Sequence, residues 1–149
     1  MRPTPLDTVV VGAGAGGLTV AIGLARLGRR VALVEADRVG GDCTNVGCIP
    51  SKTLIEFARR VRGLPASEQA AAATEAFAEA RRRRDAVRAH DERLVTDTPG
   101  IEFVRGRARL VSAGRGRVEV DVQAIGGDVR RLRAGRVVLA TGSRAALPP

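Results

Sequence analysis

Apolar positions along the chain follow two rhythms. Residues 7–11 read Asp-Thr-Val-Val-Val, a short β-branched run such as a buried parallel strand shows. Leu18, Ala21, Ile22 and Ala25 then recur at helical spacing and define one apolar face. Gly28 marks the stop of that helix. Val31 to Val34 is a second apolar run, and it ends in Glu35. Together they predict a strand–helix–strand unit of about 30 residues. A further helix is predicted from Ile49, with Pro50 in its first turn and Leu54, Phe57, Ala58 and Val61 on its inner face. Gly63-Leu64-Pro65 breaks it. Residues 66 to about 96, rich in Ala, Glu and Arg, predict one long helix.

After Thr98-Pro99-Gly100 the rhythm shortens. Ile101 to Val104 predicts a strand that extends the parallel sheet. Residues 109–111 and 117–123 predict antiparallel strands about a turn at 112–116. Val118, Val120 and Val122 alternate with Glu119, Asp121 and Gln123, so one face is buried. Gly126-Gly127 turns the chain again, and residues 129–132 return. Gly135 precedes another buried strand, expected at 136–140, which delivers Thr141-Gly142-Ser143 to the sheet's ligand edge. Leu147-Pro148-Pro149 reads as an exit segment. The expected fold class is α/β, with a Rossmann-like parallel sheet, a long helical excursion and an antiparallel β-meander.

Glycines add chemistry to the first unit. Gly12, Gly14 and Gly17 fall at the spacing of the dinucleotide fingerprint, after a strand and into a helix. Gly12 permits the tight turn, Gly14 lets backbone approach a pyrophosphate, and Gly17 lets helix and strand pack closely. The helix start offers free N–H groups and a positive dipole end to phosphates. Glu35, 18 residues past Gly17, is placed to accept from ribose hydroxyls. Its charge would repel a 2′-phosphate, so FAD or NAD is expected here and NADP is not.

The chain has 149 residues, 44% of them hydrophobic, enough for one domain with its own core. No apolar run reaches membrane-spanning length, and residues 1–5 lack the apolar core of a signal peptide. A cytoplasmic protein without a membrane partner is expected. Net charge is +9, with charge spread along the chain and one local run at Arg81–Arg84. Flanking acids, Glu75 and Glu79 before it and Asp85, Asp91 and Glu92 after it, can pair with these arginines at helical spacing. Asp85 is adjacent to Arg84 and is not expected to face it. The only aromatics are three Phe, few for stacking on single strands, so no nucleic-acid partner is expected.

Both cysteines, and the chain's one lysine, lie in Gly40-Gly41-Asp42-Cys43-Thr44-Asn45-Val46-Gly47-Cys48-Ile49-Pro50-Ser51-Lys52. Zinc would need two more ligands, and the chain offers one His and no other Cys, so no metal is expected. A structural disulfide across so short a loop is worth only roughly 2 kcal/mol, and a cytosolic setting tends to reduce it. A redox pair is the remaining reading. Cys48 would sit at a helix N-terminus, which favours thiolate, with Lys52 one turn on.

This thirteen-residue stretch resembles the active-site signature of the pyridine nucleotide–disulfide oxidoreductases, of the lipoamide dehydrogenase, glutathione reductase and mercuric reductase kind. The upstream glycine unit and Ala140-Thr141-Gly142-Ser143 are similar to that family too. Ser51 before Lys52 resembles the lipoamide dehydrogenase and mercuric reductase branches. The resemblance implies an FAD-dependent oxidoreductase that passes electrons between NAD(P)H, flavin and a Cys43–Cys48 disulfide. The substrate would be a small disulfide or dithiol, or Hg(II). Cys43 would be the exchange thiol, Cys48 the thiol facing the flavin, and Lys52 a cation near its ring. Cofactor contacts would come from Gly12, Gly14, Gly17, Glu35, Gly41, Asp42, Cys43, Lys52, Ala108, Thr141, Gly142 and Ser143.

Relatives of this kind are about three times as long. Residues 1–149 are therefore expected to form the N-terminal part of an FAD-binding domain, without the nicotinamide and dimerisation domains. A full-length relative is expected to be a homodimer. The alternative function is a truncated fragment that binds FAD and turns nothing over. His90 is given no role, because the family's catalytic His lies in a later domain.

Overall fold

The computed structural model describes residues 6–114, 116–144 and 146. The expected exit segment at 147–149 lies outside them, as do residues 1–5. β1 (Leu6–Val11), α1 (Ala15–Arg26) and β2 (Val31–Glu35) form the first unit. α2 (Gly41–Asn45), α3 (Cys48–Val61) and α4 (Ala66–Asp97) follow, then β3 (Ile101–Arg105), β4 (Arg107–Gly114), β5 (Arg117–Gln123) and β6 (Val129–Leu139).

The sheet order is β3-β2-β1-β6-β5-β4. The first four strands run parallel, and β4, β5 and the start of β6 run antiparallel. Side chains alternate across the parallel strands, as the period of two requires. Val10, Val31 and Leu33 face one side, where they meet Ala13, Leu18, Ala21 and Val95. Val9, Ala32 and Val34 face the other, where they share a core with Val118, Val120, Val122, Leu132 and Ala134. The molecule thus has three layers: α1 with the end of α4, the parallel sheet, and the β-meander.

α1 ends in a Schellman turn. Gly28, at φ +75°, donates to the Ala25 carbonyl at 2.9 Å, and Arg29 donates to Leu24 at 3.0 Å. α4 buries only Ala76, Ala80 and Val95 along its 32 residues, so most of it is supported by α3 alone.

Two expectations about the sheet fail. The turn expected at 112–116 is shorter, because Ser112, Ala113 and Gly114 belong to β4 and pair with Glu119, Val118 and Arg117. Residues 129–132 and 136–140 are not two strands. β6 runs unbroken through Gly135. Its first half pairs antiparallel with β5 and its second half parallel with β1, and Ala134 partners both Val118 and Leu6. Gly135 is extended, and a Cβ there would lie 3.3 Å from the Asp7 carbonyl oxygen. The glycine therefore fits a crowded strand crossing and does not break the strand.

The charges are also less scattered than the linear order suggests. On the outer face of the meander, Asp121 accepts from Arg131 at 2.7 and 2.9 Å and from Arg109 at 3.3 Å. Glu119 accepts from Arg133 at 2.9 Å, with Arg117 at 3.7 Å. On α4, Glu79 pairs with Arg82 and Arg83 as expected. Asp85 does meet its neighbour: Arg84 folds back to donate at 3.0 Å, because the long guanidinium arm can curl over one residue. Asp91 and Glu92 turn away from the run, Asp91 to Thr44 at 3.4 Å and Glu92 to Arg105 at 3.8 Å.

Asp121 is buried, and the Arg131 guanidinium holds its carboxyl below the ordinary carboxylate range. A lowered carboxyl stabilises the fold fully above its ordinary pKa of about 4 and stops doing so as pH falls through the lowered value. Asp121→Asn is therefore expected to lower the urea midpoint most at neutral pH. The gap from the unsubstituted chain should close as pH falls below the ordinary carboxylate range. A gap independent of pH would contradict this assignment.

Candidate functional site

The carboxyl ends of β1, β2 and β6 meet at one edge of the sheet. Chain order reverses beside β1, and such switch points are where open α/β sheets bind ligands. Gly12 leaves β1 at φ +102°, and a Cβ there would lie 2.3 Å from the Ala140 carbonyl oxygen. A Cβ on Gly17 would lie 1.8 Å from the Gly12 carbonyl oxygen. Neither clash can be relieved without moving backbone. Both glycines are thus needed by the fold itself, before any ligand is considered.

Gly14 stands at the N-cap of α1, with no side-chain cap and no acid in the first turn. The helix start therefore keeps its positive end uncompensated. A Cβ on Gly16 would meet nothing within 4 Å, so the turn is open on that side. Glu35 closes the other side. Its carboxylate accepts the Ala13 N–H at 2.6 Å and the Asp37 N–H at 2.7 Å. A carboxylate offers about four acceptor sites, so two hydroxyls can still be received. An open, uncapped turn beside a carboxylate fits the phosphates and ribose of a dinucleotide.

The cysteine turn is built against that loop through backbone. Gly40 donates to the Ala13 carbonyl at 2.8 Å and bridges Gly14. Gly41, at φ +58°, lies so close that a Cβ would sit 2.8 Å from Gly14 Cα. Gly40 is left-handed at φ +92°, and a Cβ there would strike Thr44 at 2.5 Å. Asp42 is exposed in the first turn of α2, and its carbonyl accepts Val46 and Gly47 N–H at 2.9 and 2.7 Å. Cys43 sits half-buried on α2, and Cys48 is exposed at the first residue of α3. Both are thiols in this structure. The Cys48 sulfur pushes the Cys43 thiol upward, mainly through a hydrogen bond, while the Lys52 charge pulls weakly the other way. The neighbouring sulfur thus works against thiolate at Cys43, and Lys52 works for it. Lys52 is exposed one turn after Cys48 and borders an open cavity of about 330 Å³ between α3 and α4.

The remaining expected contacts arrive from two directions. Thr141, Gly142 and Ser143 are exposed just past Ala140, whose N–H donates to the Val11 carbonyl at 2.8 Å. They thus start from the point where β6 touches the glycine loop. Ala108 packs its side chain against the core. The small residue before it answers to packing as well, since a Cβ on Gly106 would lie 2.5 Å from the Gln123 carbonyl oxygen. Gly106 N–H donates to the Glu35 carbonyl at 2.8 Å, which brings this segment to the carboxylate. The parts played here by Ala13, Gly40, Thr44, Asn45 and Asp91 are not marked in the sequence. The left-handed turn at Gly40 was legible as a Gly-Gly pair; the partners of the others lie far along the chain or in backbone.

Residues 6–149 match the family described as pyridine nucleotide-disulphide oxidoreductase. A dihydrolipoyl dehydrogenase of Chlamydia pneumoniae is 35% identical over 92% of this chain and 30% of its own length. One from Geobacillus stearothermophilus is 36% identical over 93% of this chain and 30% of its own. The structure of the HOCl-induced flavoprotein disulfide reductase RclA from Escherichia coli superposes with a TM-score of 0.77. It is 27% identical and covers 96% of this chain and 29% of that one. This chain belongs to the pyridine nucleotide-disulphide oxidoreductase family, and its fold is that of a Rossmann-like FAD-binding domain. The family is named for a pyridine nucleotide, and the Escherichia coli reductase is a flavoprotein. The chain spans about 30% of the length of the curated relatives it matches.

Two outcomes check this geometry. Gly17→Ala should destabilise the chain by about 1–3 kcal/mol, the usual range for overpacking, although Ala favours a helix by about 1 kcal/mol elsewhere. Urea unfolding reads this, and a neutral or stabilising result would contradict the Gly12 contact. In the reduced chain, Cys48→Ala should move the pH midpoint for alkylation of Cys43 down toward that of an ordinary thiol. An unmoved midpoint would mean that the two sulfurs do not interact.

Proposed function

We propose that this chain is the N-terminal part of the FAD-binding domain of a flavin-dependent disulfide oxidoreductase, resembling dihydrolipoyl dehydrogenase. Electrons pass in such a protein between NAD(P)H, FAD and the Cys43–Cys48 disulfide, and on to a small disulfide or dithiol. Hg(II) is the other acceptor that suits a dithiol. The observation that carries this reading is the backbone contact between Gly14 and Gly41. It sets a turn with two thiols directly against an open dinucleotide loop.

When bound, FAD supplies a ring that takes up and returns an electron pair. The residues of this chain do the holding. The N–H groups at the start of α1, opened by Gly12, Gly14 and Gly17, receive the pyrophosphate. Glu35 accepts from the ribose hydroxyls. Gly41, Asp42 and Cys43 line the cofactor from the cysteine turn, with Ala108 and Thr141–Ser143 reaching it from the sheet. Cys43 meets the substrate, Cys48 faces the ring, and Lys52 adds a positive charge beside it. Among the described residues the only His, His90, is exposed on α4. The proposed setting is cytoplasmic, in cell redox homeostasis, with a homodimer as the assembled form.

Equilibrium dialysis of the chain against FAD tests the reading. One FAD should bind per chain at micromolar to tens of micromolar concentration. Glu35→Ala should weaken binding about 10- to 100-fold, the loss that goes with hydrogen bonds to a charged group. No flavin retained by the folded chain, or equal retention by Glu35→Ala, would overturn it.

A further inference from the structure

Asn45 is 8% exposed at the end of α2. Its Nδ2 donates to the Val39 carbonyl at 3.0 Å and to the Gly41 carbonyl at 2.8 Å. Its Oδ1 is buried and receives no donor among the described residues. A buried amide whose oxygen is idle is held for its N–H pair. Both recipients flank the left-handed Gly40, the residue that joins the cysteine turn to Ala13 and Gly14. One side chain thus ties both ends of the Gly40–Gly41 turn to the far end of the five-residue helix that carries Cys43. That helix is too short to hold its shape unaided. A further side-chain tether on it is the longer Thr44 to Asp91 bond at 3.4 Å.

We infer that Asn45 is a positioning residue that sets the dithiol–disulfide equilibrium of Cys43 and Cys48. It acts by holding α2 so that the Cys43 sulfur stays beside Cys48, and it touches neither sulfur's partner. This rests on the redox reading of the two cysteines given above. Two sulfurs already held together form their bond with little further loss of freedom. Freeing α2 removes that advantage and makes the disulfide easier to reduce. Aspartate has the shape of asparagine but would set one carboxylate oxygen, in place of Nδ2, against both carbonyls. Serine keeps a single hydroxyl donor and is the milder change.

The test equilibrates the chain, without flavin, in glutathione redox buffers and counts free thiols by alkylation. Cys43 and Cys48 give up two electrons and two protons and form an S–S bond. Glutathione disulfide takes them up and leaves as two glutathione molecules. Asn45→Asp should lower the equilibrium constant for the disulfide about tenfold, a shift of about 30 mV toward easier reduction. Asn45→Ser should shift it less in the same direction. Val120→Ala, which opens the core on the far side of the sheet, should lower stability and leave the potential unmoved.

A folded Asn45→Asp or Asn45→Ser chain with the unsubstituted potential would overturn the inference. So would an equal shift in Val120→Ala, which would make the effect one of general stability. If Asn45→Asp does not fold, Asn45→Ser decides alone. A chain that shows the shifted potential but binds no FAD would overturn the flavin reading and leave Asn45 in its place. A chain that forms no disulfide between Cys43 and Cys48 would overturn both.

Discussion

Two backbone turns touch with no side chain between them, and most of the site depends on that contact. Gly14 ends the loop after β1, and Gly41 begins the helix that carries Cys43. A methyl group on Gly41 would lie 2.8 Å from Gly14 Cα, well inside contact distance. The Gly40 to Ala13 hydrogen bond, at 2.8 Å, fixes how the turns face. Glu35 supports the same junction from β2 by accepting the Ala13 N–H. A dithiol and an uncapped helix start are thereby placed side by side through a main-chain contact that the Glu35 and Asn45 side chains brace. Main chain is the least compliant material available for the purpose.

The rest of the fold makes that junction rigid. β1, which launches the glycine loop, lies between β2 and β6, with fully buried Val9 and Val10 facing opposite cores. β6 belongs to the parallel sheet and to the meander at once, so the meander is anchored to the strand that ends at the site. The outer face of the meander is stiffened by guanidinium–carboxylate pairs centred on Glu119 and Asp121. α4 reaches back from its distance to touch the cysteine turn through Asp91 and Thr44. Each is a separate tether on one small region.

What could be read from the amino-acid order follows from how local each signal is. Gly12, Gly14 and Gly17 have a fixed spacing because one turn and one helix impose it, so the loop was legible. α1 and α3 were legible from periodicity and α4 from its composition, with α4 ending one residue past its expected limit, whereas the five-residue α2 was not expected. The unbroken β6 was not, since Gly135 is as common in a break as in a crowded crossing. The ion pairs of the meander were not legible either, because their partners lie on different strands. Asn45 carried no signal of its own. A buried asparagine inside a short motif looks like any other polar residue until its two carbonyl partners are seen. Arg84 and Asp85 show the reverse case, where a rule about neighbours on a helix gave way to a long flexible side chain.

The central proposal is that the two glycine turns set the dithiol beside a bound flavin, where Cys48 would face the ring and Cys43 the substrate. The direct measurement is the visible absorption of the FAD-loaded chain after anaerobic reduction by two electrons. The account predicts a long-wavelength band that survives in Cys43→Ser and is lost in Cys48→Ser. A band that survives in Cys48→Ser, or no band in a chain with flavin bound, would contradict it.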